Sequence, residues 1–152
     1  MKMCPFLLRF FLAGAAAGFS LCAAAEDWPQ WGERHSRNMV SSEAGLPRHF
    51  DLATGENIKW SVPLGTDAYA SPVIASGKVL IGANNAEPRD PRHQGDRAVL
   101  LCLNEPDGSL VWQLVVPRLE DDPYLDWPNI GWCSPPTVEG ERVYSVTNRC
   151  EV

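Results

Sequence analysis

The sequence predicts an all-β chain built from repeated four-stranded antiparallel sheets, and three features of its 152 residues carry that prediction. A Ser-Pro, strand, Gly turn, strand pattern at Ser71 to Leu80 returns at Ser134 to Tyr144 with one residue inserted. A turn Gly followed by a strand bearing a Trp, Thr54-Gly55 to Trp60, returns as Asp107-Gly108 to Trp112, one residue shorter. The run Ala98-Val99-Leu100-Leu101-Cys102-Leu103 is apolar at every position, the mark of a strand covered on both faces. No segment beyond residue 25 has a helical period, and twelve of those 127 residues are Pro.

Taken in chain order, the first element is a leader. Residues 1–25 read as a secretory signal peptide. Lys2 and Arg9 precede the apolar stretch Phe10 to Phe19, which is short for a bilayer span. Ala23-Ala24-Ala25 offers a small-residue cleavage site just before Glu26-Asp27. The expected location is therefore periplasmic or secreted, with no transmembrane segment in the mature chain. Residues 26–56 form an N-terminal extension, and residues 57–152 hold the repeats. Without the leader the chain has 11 Lys and Arg against 19 Asp and Glu, a net charge of −8. Such a balance excludes a nucleic-acid surface and an anionic membrane surface, since both require clustered cations.

Within the repeats, Ile58 to Val62 reads as a lone outer strand of D type. Strand A follows at about 71–75, B at about 78–84, C at about 98–104 and D at about 109–116. A second A is expected at about 134–138, a second B at about 142–147, and a second C begins near Cys150. Short A–B and C–D connections predict pairing in the order A–B–C–D. Strand D is more amphipathic than C, with Leu110, Trp112, Leu114 and Val116 on one side and Ser109 and Gln113 on the other. Inner strands buried on both faces with an amphipathic outer strand suit small sheets stacked face to face as in a β-propeller. A two-sheet sandwich should alternate in most strands. The predicted fold class is an incomplete β-propeller, about one and a half four-stranded antiparallel blades plus one outer strand. Because the sequence stops at Arg149-Cys150-Glu151-Val152, where a third strand should begin, the chain is expected to be an N-terminal fragment, poorly soluble or loosely folded when made alone.

Three cysteines follow the leader: Cys102, Cys133 and Cys150. An odd count is no disulfide framework. Cys133 and Cys150 fall two strands apart, roughly 9.5 Å at sheet spacing, beyond disulfide reach. No bridge is predicted.

The stretch Cys102-Leu103-Asn104-Glu105-Pro106-Asp107-Gly108-Ser109-Leu110-Val111-Trp112 resembles the tryptophan-docking repeat of quinoprotein propellers, Ala-x-Asp-x-x-Thr-Gly-x-x-x-Trp. Gly108 and Trp112 match in register, with Cys102, Asn104 and Asp107 as substitutes. In the earlier copy Asp51, Thr54 and Gly55 match and Trp60 is one residue late. The opening Asp27-Trp28-Pro29-Gln30-Trp31-Gly32, followed by Gly45-Leu46-Pro47, is similar to secreted bacterial proteins with pyrroloquinoline-quinone-like repeats. The resemblance implies a propeller acting as a binding or scaffolding module. Its alternative is a quinoprotein oxidoreductase holding pyrroloquinoline quinone and calcium in a central channel. Those ligands come from several blades, most of which this chain lacks, and the adjacent Cys-Cys pair of such enzymes is absent. Quinone and calcium would belong only to a full-length protein, so no cofactor is assigned here. Apart from that resemblance, Gly108 suits a tight turn with positive φ. Trp60 and Trp112 suit a structural role, flat between sheets with the indole N–H on a neighbouring carbonyl.

Strand order also places the loops. The long B–C loop (about 85–97) and the long D–A loop (about 117–132) must leave from the same end of the sheet, and long loops on a rigid framework are the usual place for binding. In the first, Arg89, Arg92 and His93 are candidates for contacting an anion or carbohydrate; Arg–Asp pairs in a solvated loop are the plainer reading. In the second, Asp121, Asp122 and Asp126, with Glu120, carry oxygens suited to a hard cation. Their spacing matches no calcium loop, and solvated acids are the plainer reading. Tyr124, Trp127 and Trp132 suit stacking on a sugar or burial of the loop. His35 and His49 have no evident partner, so no nucleophile–base arrangement and no catalytic residue are assigned. The expected partner is a protein or a carbohydrate.

Overall fold

The computed structural model describes residues 26–119 and 126–152; the expected signal peptide, residues 1–25, lies outside them. The described residues are all-β. Four strands form one antiparallel sheet: β1 (Val73–Ala75), β2 (Lys78–Asn84), β3 (Arg97–Asn104) and β4 (Leu110–Pro117), in the order β1-β2-β3-β4. Two more, β5 (Thr137–Glu139) and β6 (Arg142–Tyr144), form a second antiparallel sheet. The expected A–B–C–D pairing is therefore found.

Local chemistry explains the short connections. Ser76 and Gly77 both have positive φ (51° and 69°), the mirror-image turn that matches strand twist in a two-residue hairpin. Gly140 (φ 58°) opens the corresponding β5–β6 turn. Between β3 and β4, Gly108 has φ 70° and donates its N–H to Asn104 O at 2.8 Å, while Ser109 O accepts from Asn104 N–H. The Asp107 carboxylate accepts from the Ser109 amide and hydroxyl, which holds its pKa below the usual carboxylate range.

Alternation along β3 gives the sheet two buried faces. Val99, Leu101 and Leu103 point to one side, join Ala83, and are covered by Trp60, Val62 and Leu64. Cys102 points to the other side with Val73 and Leu80, beneath Val138 of β5. Ala98 and Leu100 share that second side and pack with Trp132 and Val116. All six β3 core positions, Ala98 to Leu103, are at most 3% exposed. Full burial of a Leu side chain is favourable by about 1.5–3 kcal/mol, so β3 anchors the sheet. β4 is the outer strand and mostly exposed, and its sides depart from the amphipathic expectation: Leu110, Trp112 and Leu114 are exposed, whereas Gln113 and Val115 on the other side are half-buried, Val115 against the core of Val99 and Leu101.

Three further details differ from the sequence expectation. Ile58 to Val62 packs on the sheet but pairs in no ladder, so it is an extended segment and not a strand. The second C strand is absent: Cys150 has φ 58°, and the chain reverses so that Thr147 N–H donates to Glu151 O at 2.8 Å. The N-terminal extension also makes sheet contacts that its composition does not announce. Trp28 exchanges two backbone hydrogen bonds with Ile74 of β1 (2.6 and 3.0 Å), and Pro29 O accepts from Val138 N–H of β5 at 2.7 Å. Trp28-Pro29 thus ties the first-strand edges of both sheets together.

Candidate functional site

The two long loops meet at one end of the four-stranded sheet, as strand order requires. Asp96 in the B–C loop accepts the Asn129 N–H at 2.8 Å, and Arg118 Nε lies 3.8 Å from the same carboxylate. Asn84, at the end of β2 and 1% exposed, organises the junction. Its Nδ2 donates to Thr66 Oγ1 (2.8 Å), Asp67 O (3.3 Å) and Asn129 O (2.8 Å). Its Oδ1 accepts from the Thr66 and Ala86 amides. Beside it, Asn85 Nδ2 donates to His93 O and Gly95 O, closing the B–C loop on itself. Buried amides of this kind are tolerated because their polar atoms are paired. Nothing in the sequence marked Asn84 and Asn85 beyond a paired Asn at the end of an apolar strand.

The two predicted arginines of the B–C loop are engaged within the protein. Arg92 grips Asp90 with Nε at 3.0 Å from both oxygens and Nη2 at 2.6 Å from Oδ2. The guanidinium lowers the Asp90 pKa to about 2. Arg89 donates through Nη2 to Pro63 O, and partial burial lowers its pKa. His93 donates its backbone N–H to Asp90 O. Arg89 and Arg92 are thus turned to different internal partners, and the Arg–Asp reading describes Arg92.

In the D–A loop, Asp121 and Asp122 lie outside the described residues, as do Glu120 and Tyr124. Asp126 is described and is 2% exposed, which corrects its reading as a solvated acid. Its Oδ2 accepts the Leu119 N–H at 2.8 Å and the Asn148 Nδ2 at 2.7 Å, and its backbone O accepts Arg118 Nε at 2.8 Å. Asn148 Oδ1 is buried without a partner. Asp126 thus pins the loop to the last turn of the chain. Among the described residues no three His, Cys, Asp or Glu side chains converge to hold a metal ion.

The two loop tryptophans divide. Trp132 is 1% exposed and donates its indole N–H to Ser145 Oγ at 2.8 Å. Trp127 is 61% exposed beside Asn129 at the loop end, which leaves an aromatic surface open to a ligand. His49 pairs with Glu56 at 3.6 Å on the surface, and His35 lines a polar cleft of about 400 Å³ with Glu33 and Arg34. Glu33 has a pKa lowered to about 2, first by the Ser36 amide and hydroxyl and then by the His35 amide. Cys102, Cys133 and Cys150 are all free thiols, as expected for the latter pair.

The structural Trp and Gly residues meet. Trp60 donates its indole N–H to Glu105 O at 2.8 Å. Its ring lies so close over Gly108 that a Cβ there would fall 2.7 Å from Trp60 Cδ2 and Cε3. Gly108 is therefore required twice, for its φ and for the ring. Trp112, at the matching position of the next unit, is 39% exposed. Comparison with protein-family models, with curated proteins and with solved structures gives no match.

Proposed function

We propose that this chain is an extracytoplasmic repeat protein of β-propeller type that acts as a binding or scaffolding module, with the joined long loops as its recognition face. The observation that carries the reading is the junction itself. Asp96, Asn84 and Asn129 fix two long loops to each other at one sheet end, leaving Trp127 exposed there. A rigid loop face with an open aromatic ring is suited to a protein or carbohydrate partner. The propeller reading is supported by the docking of Trp60 on the Gly108 turn of the following unit and by the recurrence of β1–β2 as β5–β6.

Photo-crosslinking in a secreting host tests the reading. A crosslinking residue at Trp127 should give discrete adducts, and one at Thr54, on the exposed turn of the N-terminal extension, should give none. Equal labelling at both positions, or quinone-dependent dye reduction by protein supplied with calcium and quinone, would overturn it.

A further inference from the structure

Two arginines outside the expected contact set meet at the loop junction. Arg97 opens β3 and faces Pro117, the last residue of β4, across the ladder, so Arg118 follows directly beside it. Each is held through one nitrogen. Arg97 Nε donates to Gln94 O at 2.9 Å, and Arg118 Nε donates to Asp126 O at 2.8 Å. A guanidinium bonded through Nε keeps its two terminal nitrogens as donors in a planar fork, and among the described residues no hydrogen bond engages those of Arg97 or Arg118. With Asp96 and Pro117 the two arginines line a cleft of about 250 Å³. Side chains already tied at Nε lose less freedom when they take a ligand.

Charge narrows the ligand. Two guanidiniums against the one carboxylate of Asp96 leave a single positive charge in the cleft, within a chain whose net charge is −6. Asp96 is itself engaged, accepting the Asn129 N–H at 2.8 Å and lying 3.8 Å from Arg118 Nε. A monoanion matches that excess, whereas a phosphate monoester, at about −1.5 to −2 near neutral pH, exceeds it. The two oxygens of a carboxylate also fit the planar guanidinium fork. The volume is below the roughly 300 Å³ at which pockets enclose a drug-sized molecule, so the cleft suits one small charged group of a larger ligand. Trp127 supplies the neighbouring surface. Arg118 Nε bonds the carbonyl of the peptide that joins Asp126 to Trp127, so guanidinium and tryptophan backbone share one peptide unit. The exposed indole offers a flat apolar face with a polar edge. An acidic side chain of a peptide would satisfy the arginines without using the ring; an acidic sugar uses both.

We propose that Arg97 and Arg118 form a carboxylate site for an acidic sugar, a uronate whose carboxylate bridges the two guanidiniums while its ring lies on Trp127; the site rests on the reading of the loop junction as a recognition face and gives that face its ligand chemistry. Arg89 and Arg92, bound to Pro63 O and Asp90, take no part in it.

The test titrates the whole chain with glucuronate, with glucose as the neutral ring and acetate as the carboxylate without a ring, and follows the indole and Arg Nε signals by nitrogen-labelled NMR. Glucuronate should shift the Trp127 indole and both Arg Nε signals saturably, with affinity at least about tenfold above that of glucose or acetate, and added salt should weaken it. Arg97→Gln and Arg118→Gln should each weaken glucuronate binding at least about fivefold and leave glucose unchanged, as for the loss of a charged hydrogen bond. Trp127→Ala should weaken both sugars. Arg118→Gln also cuts the tie to Asp126 O, whereas Arg97→Gln leaves that tie intact and keeps the test decisive if the first variant loosens the loop. No shift with glucuronate, equal affinity for glucose or acetate, or glucuronate binding unchanged in both arginine variants would each overturn the proposal. Discrete crosslinked adducts at Trp127 alongside such a result would leave the recognition face standing without the carboxylate site; loss of the adducts as well would remove both.

Discussion

The two faces of the four-stranded sheet carry equivalent tryptophans in opposite circumstances. On one face Trp60, with Val62 and Leu64, closes over Val99, Leu101 and Leu103, and its indole N–H is satisfied by Glu105 O. On the other face the cover is partial. Val138 covers Val73, Leu80 and Cys102, and Trp132 covers Ala98 and Leu100, while Trp112 and Leu114 on β4 stay half open. The sequence treats the two tryptophans alike, since each follows a turn Gly on a D-type segment. The difference lies in what each ring meets: Trp60 meets a glycine whose missing Cβ admits it, and Trp112 meets a cleft. A docking residue is therefore defined by its receptor as much as by itself.

Substitutions should expose that asymmetry. Trp60→Ala removes a large contact and leaves Glu105 O without its donor; it should cost about 3 kcal/mol in chemical denaturation. Gly108→Ala should cost about 2 kcal/mol, because the methyl meets the Trp60 ring and the φ of 70° is unfavourable for alanine. A loss for Gly108→Ala that persists undiminished in a Trp60→Ala background would show the turn strained on its own account and break the pairing of the two residues. Trp112→Ala should cost under about 1 kcal/mol, since its ring is already partly in water. Equal losses for the two tryptophans would mean that the second face is as closed as the first.

Much of this arrangement was legible in the sequence, and the omissions have physical causes. The uninterrupted apolar run at 98–103 announced a strand buried on both sides, and Gly77, Gly108 and Gly140 announced the turns. Ile58 to Val62 shows the limit of such patterns. Apolar periodicity reports burial, and burial came without a ladder because no neighbouring strand lies beside it. The Trp28-Pro29 tie was invisible, since its bonds are backbone bonds that any residue of suitable geometry can make. Asp126 was misread because an acidic loop suggests water, whereas the Leu119 amide and Asn148 enclose it. Asn84 carried no signal of chemistry, although it joins the loops of the candidate face. Asn84→Ala should cost about 2 kcal/mol by leaving buried amides and carbonyls unpaired, and it should loosen both loops together. Loosening confined to one loop would separate them.

A smaller effect concerns the charge pair in the B–C loop. Asp90 should titrate near pH 2 by NMR, and Arg92→Ala should return it toward the usual carboxylate value. The sign follows from linkage. The carboxylate's folded pKa is depressed, so its favourable contribution is present above the unfolded value and is lost as pH falls toward 2. A titration unchanged by Arg92→Ala would remove the pair as the cause.

The most direct measurement of the difference between the two faces is hydrogen exchange at the indole nitrogens of Trp60 and Trp112, resolved by nitrogen-labelled NMR. The Trp60 N–H should exchange slowly, protected by Glu105 O and the sheet beneath it, and the Trp112 N–H should exchange near the rate of an open indole. Comparable protection at both indoles in the free chain, or no protection at Trp60, would contradict the account.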